Sequence, residues 1–223
     1  PASILQRLRN YSRQNGEDVG LTLSRYAIER LLYRLSKSAY KDQFVLKGAQ
    51  LFQLWQEAPY RPTRDVDLLR YGPEDVEDLI HIFRTVCTIA VDVQDGIEFL
   101  QESIRAQAIR DQAAYGGIRI RLEYRIGRTG QFVQVDVGFG DAVVPAAQDT
   151  PFPSILDMPS AVLRTYSRES MIAEKVEAMV SLGIANSRMK DFFDVYLLSR
   201  HHQLDGETLK RAIEATFARR KTA

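Results

Sequence analysis

The sequence holds one cysteine, Cys87, in 223 residues. No internal disulfide can form, which is compatible with a reducing compartment. Cys87 lies between Val86 and Ile89 and reads as a core residue, not a nucleophile. A CxxC pair or a Cys/His set with zinc spacing is absent. The adjacent His201 and His202 point in different directions and do not read as a metal pair. No apolar run approaches the roughly 18 residues of a membrane span, and the N-terminus has no signal-peptide apolar stretch. A cytoplasmic protein with no membrane partner is therefore expected. Charge of one sign is not in excess either. Lys+Arg 30 against Asp+Glu 29 gives a formal net charge of +1, which does not indicate a general coating of nucleic acid.

What is present is ordinary in amount and uneven in placement. Hydrophobic residues at 45% and a length of 223 allow a sizeable core, as one large domain or two small ones. Acids dominate from Asp65 to Asp111. A basic flank follows late in the chain: Arg188, Lys190, Arg200, Lys210, Arg211, Arg219, Arg220 and Lys221. A basic flank beside an acidic centre suits a phosphate-rich polymer, although charged residues also serve as the wet faces of helices.

The chain is organised around residues 44–69, FVLKGAQLFQLWQEAPYRPTRDVDLL. Phe44, Val45 and Leu46 form a β-prone run ended by Lys47-Gly48. Apolar positions 51, 52, 54 and 55 suit a short core-facing helix. Tyr60-Arg61-Pro62-Thr63-Arg64 breaks it. Asp65-Val66-Asp67-Leu68-Leu69 then reads as a strand, with Asp65 and Asp67 on one face. Two close carboxylates call for a positive partner, and Mg²⁺ takes carboxylates together with substrate phosphates. In isolation the same pair suits a solvated strand edge.

Upstream, residues 3–15 and 21–37 read as two helices with arginines beside an apolar stripe. They suit a packing layer on a sheet, or else an RNA-facing arginine surface. Downstream, residues 74–89 read as an amphipathic helix, 92–96 as a turn and 97–100 as a short strand. Residues 103–114 could be strand or helix. Strict alternation over Ile118–Tyr124, answered by Phe132–Gly138, predicts a β-hairpin with Phe132, Gln134 and Asp136 on one face. Residues 145–160, with four prolines, read as a long loop. Ser167 caps a helix carrying Lys175 between Glu174 and Glu177; there Lys175 also suits a surface ion pair. In the next helix Arg188, Asp191 and Asp194 recur every three residues, and Phe192, Val195 and Leu198 form an apolar stripe. Residues 208–218 form a last helix.

A glycine turn, a helix and Asp-x-Asp on the next strand resemble the minimal nucleotidyltransferases of the polymerase-β-like superfamily. LKGA with RPTRDVDLL, IAEKVEAM and RMKDFFDVYLL more narrowly resemble the AbiEii/AbiGii-type nucleotidyltransferase toxins of bacterial toxin–antitoxin systems. The resemblance spans about residues 20–200. It implies an α/β (α+β) nucleotidyltransferase fold, with a small mixed sheet flanked by helices and a helical C-terminal half. Residues 1–144 would form the catalytic core with its N-terminal helices, and 145–223 a helical region contributing active-site residues. Asp65, Asp67, Lys175 and Asp191 are the implied catalytic residues. Lys47, Gly48, Ala49, Arg64 and Asp194 would bind nucleotide. Asp65 and Asp67, with Asp136 as third ligand, would hold Mg²⁺; Asp141 is a lesser alternative to Asp136. Asp191 would act as a general base or hold Lys175 and Arg188 in place. The substrates implied are an NTP, CTP or UTP favoured, and the 3′ acceptor end of tRNA; a cognate antitoxin is the implied partner. Two features depart from the superfamily pattern. Ala49 stands where Gly-Ser or Gly-Gly is usual, which removes a hydroxyl contact to phosphate, and the segment from Gly48 to Asp65 is longer than the commonest spacing. Relatives usually continue beyond ARRK, so a longer parent chain is expected. The alternatives are nucleotide transfer to a protein or small-molecule hydroxyl, such as an aminoglycoside, and a non-catalytic binding protein that keeps the fold.

Overall fold

The structure is a computed structural model that describes residues 2–55, 63–110 and 116–222. Helices α1 (Ala2–Asn15) and α2 (Val19–Lys37) come first. Strand β1 (Phe44–Lys47), helix α3 (Leu51–Trp55), β2 (Asp65–Arg70), α4 (Val76–Cys87) and β3 (Ile97–Phe99) follow. Strands β4 (Arg105–Arg110), β5 (Gly116–Ile126), β6 (Thr129–Phe139), β7 (Gln148–Pro151) and β8 (Val162–Thr165) complete the sheet. Helices α5 (Arg168–Leu182), α6 (Met189–His201) and α7 (Gly206–Arg220) close the chain.

The eight strands make one mixed sheet in the order β3-β5-β6-β2-β1-β8-β7, with β4 paired to β5 beside β3. β2 lies antiparallel to β1 and parallel to β6, so it is central. Val45, Val66, Leu68, Leu69, Val135 and Val137 are buried, as a central strand trio covered by helices requires. Helix starts follow local chemistry: Asp18, Asp75, Ser167 and Asp205 each accept a hydrogen bond from the backbone N–H three residues on.

The mixed sheet flanked by helices agrees with the expectation, and the sheet is larger than a small one. Residues 145–160 are not wholly loop, because β7 pairs with β8 and β8 runs parallel to β1. β7 is an exposed edge strand, so its sequence QDTP has no apolar alternation to read. The ambiguous 103–114 stretch is a strand over Arg105–Arg110, and residues 111–114 lie outside the described ones. The break read at Tyr60–Pro62 also lies outside them.

The arginines of α2 split by depth. Arg30 and Arg34 are buried and converge on Asp95, at 3.0 Å and 2.7 Å. They lock the helix to the turn before β3 and do not face RNA. Their two positive charges hold the Asp95 carboxyl below its usual range although burial opposes this. In α6 the apolar stripe is also corrected. Phe192 is exposed, and the inward face carries Asp191, Asp194, Leu197 and Leu198.

Candidate active site

β1 ends at Lys47, and Gly48 turns the chain in left-handed backbone with φ +71. A Cβ there would come within 2.7 Å of Asp67 Cγ and 2.8 Å of Asp67 Cβ. The side chain Gly48 lacks is the space the Asp67 side chain occupies. On the other side of β2, Asp67 stands in register with Asp136 of β6. Neighbouring strands lie about 4.8 Å apart, so the two carboxylates share one face at short range.

Two clefts meet here. The helix-side cleft, about 270 Å³, is bounded by Lys47, Gly48, Ala49, Asp67, Lys175 and Asp191. The sheet-side cleft, about 550 Å³, is bounded by Asp67, Arg119, Asp136 and the Gly116-Gly117 start of β5. Lys47 and Asp67 border both, as do Arg188, Lys190 and Arg220.

Each charged group is held by others. Lys47 Nζ donates to Asp141 at 2.6 Å and to Glu174 at 2.8 Å. Arg220, from the end of α7, reaches Asp141 at 3.1 Å and Glu177 at 2.7 Å. The Tyr166 hydroxyl donates to Glu174 at 3.0 Å. Lys175 Nζ sits between Asp191 at 2.9 Å and Asp194 at 2.7 Å. Arg119 grips both oxygens of Asp136 at 2.8 Å each.

The titrations follow from this crowding. Burial raises the Asp141 carboxyl, but Lys47 and Arg220 outweigh it and hold the group down at about 2. Burial lowers Lys47, yet Glu174, Tyr166 and Asp141 lift it well above the usual lysine range. Glu174 is raised, chiefly by burial. Asp67 is pushed up to about 6 by burial, with Asp136 and Asp65 adding to the rise against Lys47 and Lys175.

A carboxylate raised chiefly by burial, and further by its carboxylate neighbours, is one that a bound cation would relieve. Among the described residues no group of three or more His, Cys, Asp or Glu side chains is gathered into a metal cage. Mg²⁺ does not need one, since it keeps waters and binds one or two carboxylates plus substrate phosphates. The oxygens of Asp136 keep lone pairs beside Arg119. Asp67 and Asp136, in register on β2 and β6 and both bordering the sheet-side cleft, are the pair that could supply such carboxylates.

The sequence profile of the nucleotidyl transferase AbiEii toxin family, of type IV toxin–antitoxin systems, matches residues 30–223. The chain belongs to this family. No curated protein sequence matches it. Similar solved structures include a candidate nucleotidyltransferase from H. pylori, 16% identical over 78% of this chain and 65% of that one, with TM-score 0.49. Another is JHP933 from Helicobacter pylori, 14% identical over 85% of this chain and 75% of that one, with TM-score 0.48. An antigenic nucleotidyltransferase-like protein from Paracoccidioides brasiliensis is 13% identical over 86% and 88%, with TM-score 0.47. The chain spans 65% of the first of these.

In this AbiEii family chain the structure brings together most residues singled out in the sequence. Lys47, Gly48, Ala49, Asp67, Lys175 and Asp191 line one cleft, and Asp136 lines the other. Asp65 is exposed at the start of β2, bordering neither cleft, yet its charge acts on Asp67 and Arg119. Arg64 is not brought in; it is two-thirds exposed and faces Asp18 at 3.5 Å. Asp194 is fully buried behind Lys175, so it holds the lysine and borders neither cleft that a nucleotide could enter. Asp191 pairs with Lys175, which fits the holding role given to it.

Sequence reasoning placed Asp141 second to Asp136 and did not find Glu174, Glu177, Tyr166, Arg119 or Arg220 as site residues. In the sequence Glu174 and Glu177 stand only as neighbours of Lys175, and Arg220 only as part of the basic flank. Arg219 donates to the Gly140 carbonyl, so the end of α7 is tied to the β6 end. Among the described residues no helix is long and apolar enough to cross a membrane.

Proposed function

We propose that this AbiEii family protein transfers a nucleoside monophosphate from CTP or UTP to the 3′ hydroxyl of tRNA. The observation that supports this reading best is the convergence of two clefts on Asp67 and Lys47. A nucleotidyl transfer needs two substrates to meet at one phosphorus. The triphosphate takes the helix-side cleft. There Gly48 allows close backbone approach, and Lys175, fixed by Asp191 and Asp194, faces the phosphates. The acceptor takes the sheet-side cleft.

The acceptor oxygen forms a bond to the α-phosphorus, and the α–β bridging bond breaks, so pyrophosphate leaves. The hydroxyl proton passes to Asp136, which faces the acceptor cleft. Mg²⁺ held by Asp67 and Asp136, with the charge of Asp65 beside them, would neutralise charge on the triphosphate. A cognate antitoxin is the partner that the family implies.

The test is a label-transfer assay with total tRNA, Mg²⁺ and each α-labelled NTP separately, beside an Asp67→Ala control. Label on tRNA from CTP or UTP, lost in the control, is expected. Label on a protein in a lysate and none on tRNA would move the acceptor to a protein hydroxyl. Absence of label from folded protein in both settings would overturn the transferase reading.

A further inference from the structure

A second concavity lies along the same hairpin, beyond Asp136. Alternation along the hairpin puts Arg119, Arg121, Glu123 and Arg125 of β5 on the solvent face, in register with Asp136, Gln134, Phe132 and Gly130 of β6. Arg105 of β4 stands opposite Arg121. Arg105, Arg121, Glu123, Arg125 and Phe132 border a groove of about 730 Å³. Three arginines and one glutamate are its charged residues, in a protein whose net charge is only +1. Two arginines directly opposite one another destabilise a sheet face unless an anion lies between them.

An aromatic ring completes the groove. Phe132 is 49% exposed in mid-strand, where burial is the usual fate of phenylalanine. The Arg121 guanidinium lies over it, 4.0 Å from the ring centroid. A phenylalanine ring and a guanidinium plane are both surfaces on which nucleobases stack. From Phe132 to Asp136 is four residues along β6, about 14 Å at the strand rise. The groove and the sheet-side cleft share no lining residue, but they lie along the same face of the hairpin, with Arg119 and Gln134 in the stretch between Arg121 and Asp136.

We propose that this hairpin groove binds the single-stranded segment of an RNA acceptor next to its reacting 3′ end. Phosphates lie along Arg105, Arg121 and Arg125, and a base stacks at Phe132. The proposal rests on the reading that the acceptor is a nucleic acid, and it goes beyond that reading by naming where the strand lies. Arg119 is held by Asp136 and marks the end of the track at the reacting groups.

The test measures fluorescence anisotropy of a labelled, unstructured RNA of about 12 nucleotides, a length within the range of single-strand sites. Phe132→Ala is expected to weaken binding about 10-fold, the effect of losing one stacked base. Arg121→Gln is expected to reduce the slope of log affinity against log salt by about 0.7. Glu123→Gln is expected to tighten binding, a gain that misfolding cannot imitate. In the transfer assay the first two variants raise KM for tRNA and leave KM for NTP unchanged. No RNA binding by folded wild type, or affinities within about twofold in all three variants, would overturn the proposal. Changes at Arg121 and Glu123 without change at Phe132 would also overturn it, and would mark a surface for an acidic protein segment. Groove-dependent RNA binding without nucleotide transfer would uphold the groove and fail the transferase reading. Transfer to tRNA with unchanged KM in the groove variants would do the reverse.

Discussion

Gly48→Ala tests the local geometry of the site most directly. Gly48 has φ +71, and an L-residue in left-handed backbone costs about 1–2 kcal/mol. At roughly 2–4 °C per kcal/mol for a chain of this size, Tm falls by about 2–8 °C. Gly16 provides the matched control. Its φ is +62, and a Cβ there would meet nothing within 4 Å. Gly16→Ala therefore carries the backbone strain alone. At Gly48 the new Cβ also collides with Asp67, and with its Cβ and Cγ as well as the carboxylate tip. Rotating the tip away is not enough, so the whole side chain must move. A displacement of about 1 Å at a reacting group costs on the order of 100-fold in rate. The assay is the initial rate of label transfer beside thermal unfolding for both variants. A Tm loss in Gly16→Ala, a loss at least as large in Gly48→Ala, and a steep rate loss in Gly48→Ala only are expected. If Gly48→Ala keeps its rate within about threefold, the steric link between Gly48 and Asp67 does not matter for activity.

Lys175→Met leaves Asp191 and Asp194 facing each other at 9% and 0% side-chain exposure. Removing one side of a buried ionic cluster costs about 3–5 kcal/mol, and adding Asp194→Asn should recover Tm without recovering transfer; an unchanged Tm in the single variant would show the cluster to be unimportant for stability. Asp141 has its pKa lowered to about 2, so its stabilisation is complete above about pH 4 and is lost as pH falls through 2. The stability gap between wild type and Asp141→Asn, about 2 kcal/mol by linkage at pH 7, should narrow in acid denaturation series, and a gap constant down to pH 2 would contradict the Lys47–Asp141–Arg220 arrangement. Asp67, raised to about 6, binds its proton more tightly in the folded chain, so it lowers stability as pH rises from about 4 to 6. Asp67→Asn in metal-free buffer at pH 8 should melt at or above the wild-type temperature while losing transfer, and Mg²⁺ should raise Tm in wild type only; a large loss of Tm on substitution would mean that the carboxylate is structural.

Much of the candidate site is local in origin and so could be read from the chain. Asp65 and Asp67 share a face because strands repeat every two residues; the same alternation gives Asp136 its face in the hairpin, and the family resemblance gives it its implied role. Arg188, Asp191 and Asp194 fall on one helix face because three residues is nearly one turn. Residue pattern also gave the hairpin and the cap at Ser167. What spacing cannot carry is which face meets which partner. Lys175 sits in a helix flanked by two glutamates, and its actual partners lie 16 and 19 positions on, in α6. Arg30 and Arg34 look like a wet helix face until the turn at Asp95 folds over them. β7 has no apolar pattern because an edge strand with one neighbour needs none.

The sequence by itself determined the strand carrying two acids, the glycine that turns the chain before it, and the family to which these motifs belong. Only the tertiary structure decided that the space a Gly48 side chain would fill is taken by Asp67, that Arg220 closes a charge network with Lys47, and that Arg105 of β4 meets Arg121 on the open hairpin face. The reason is physical: periodicity is set by neighbours along the chain, whereas burial, ion pairing and steric room depend on segments that meet only after folding.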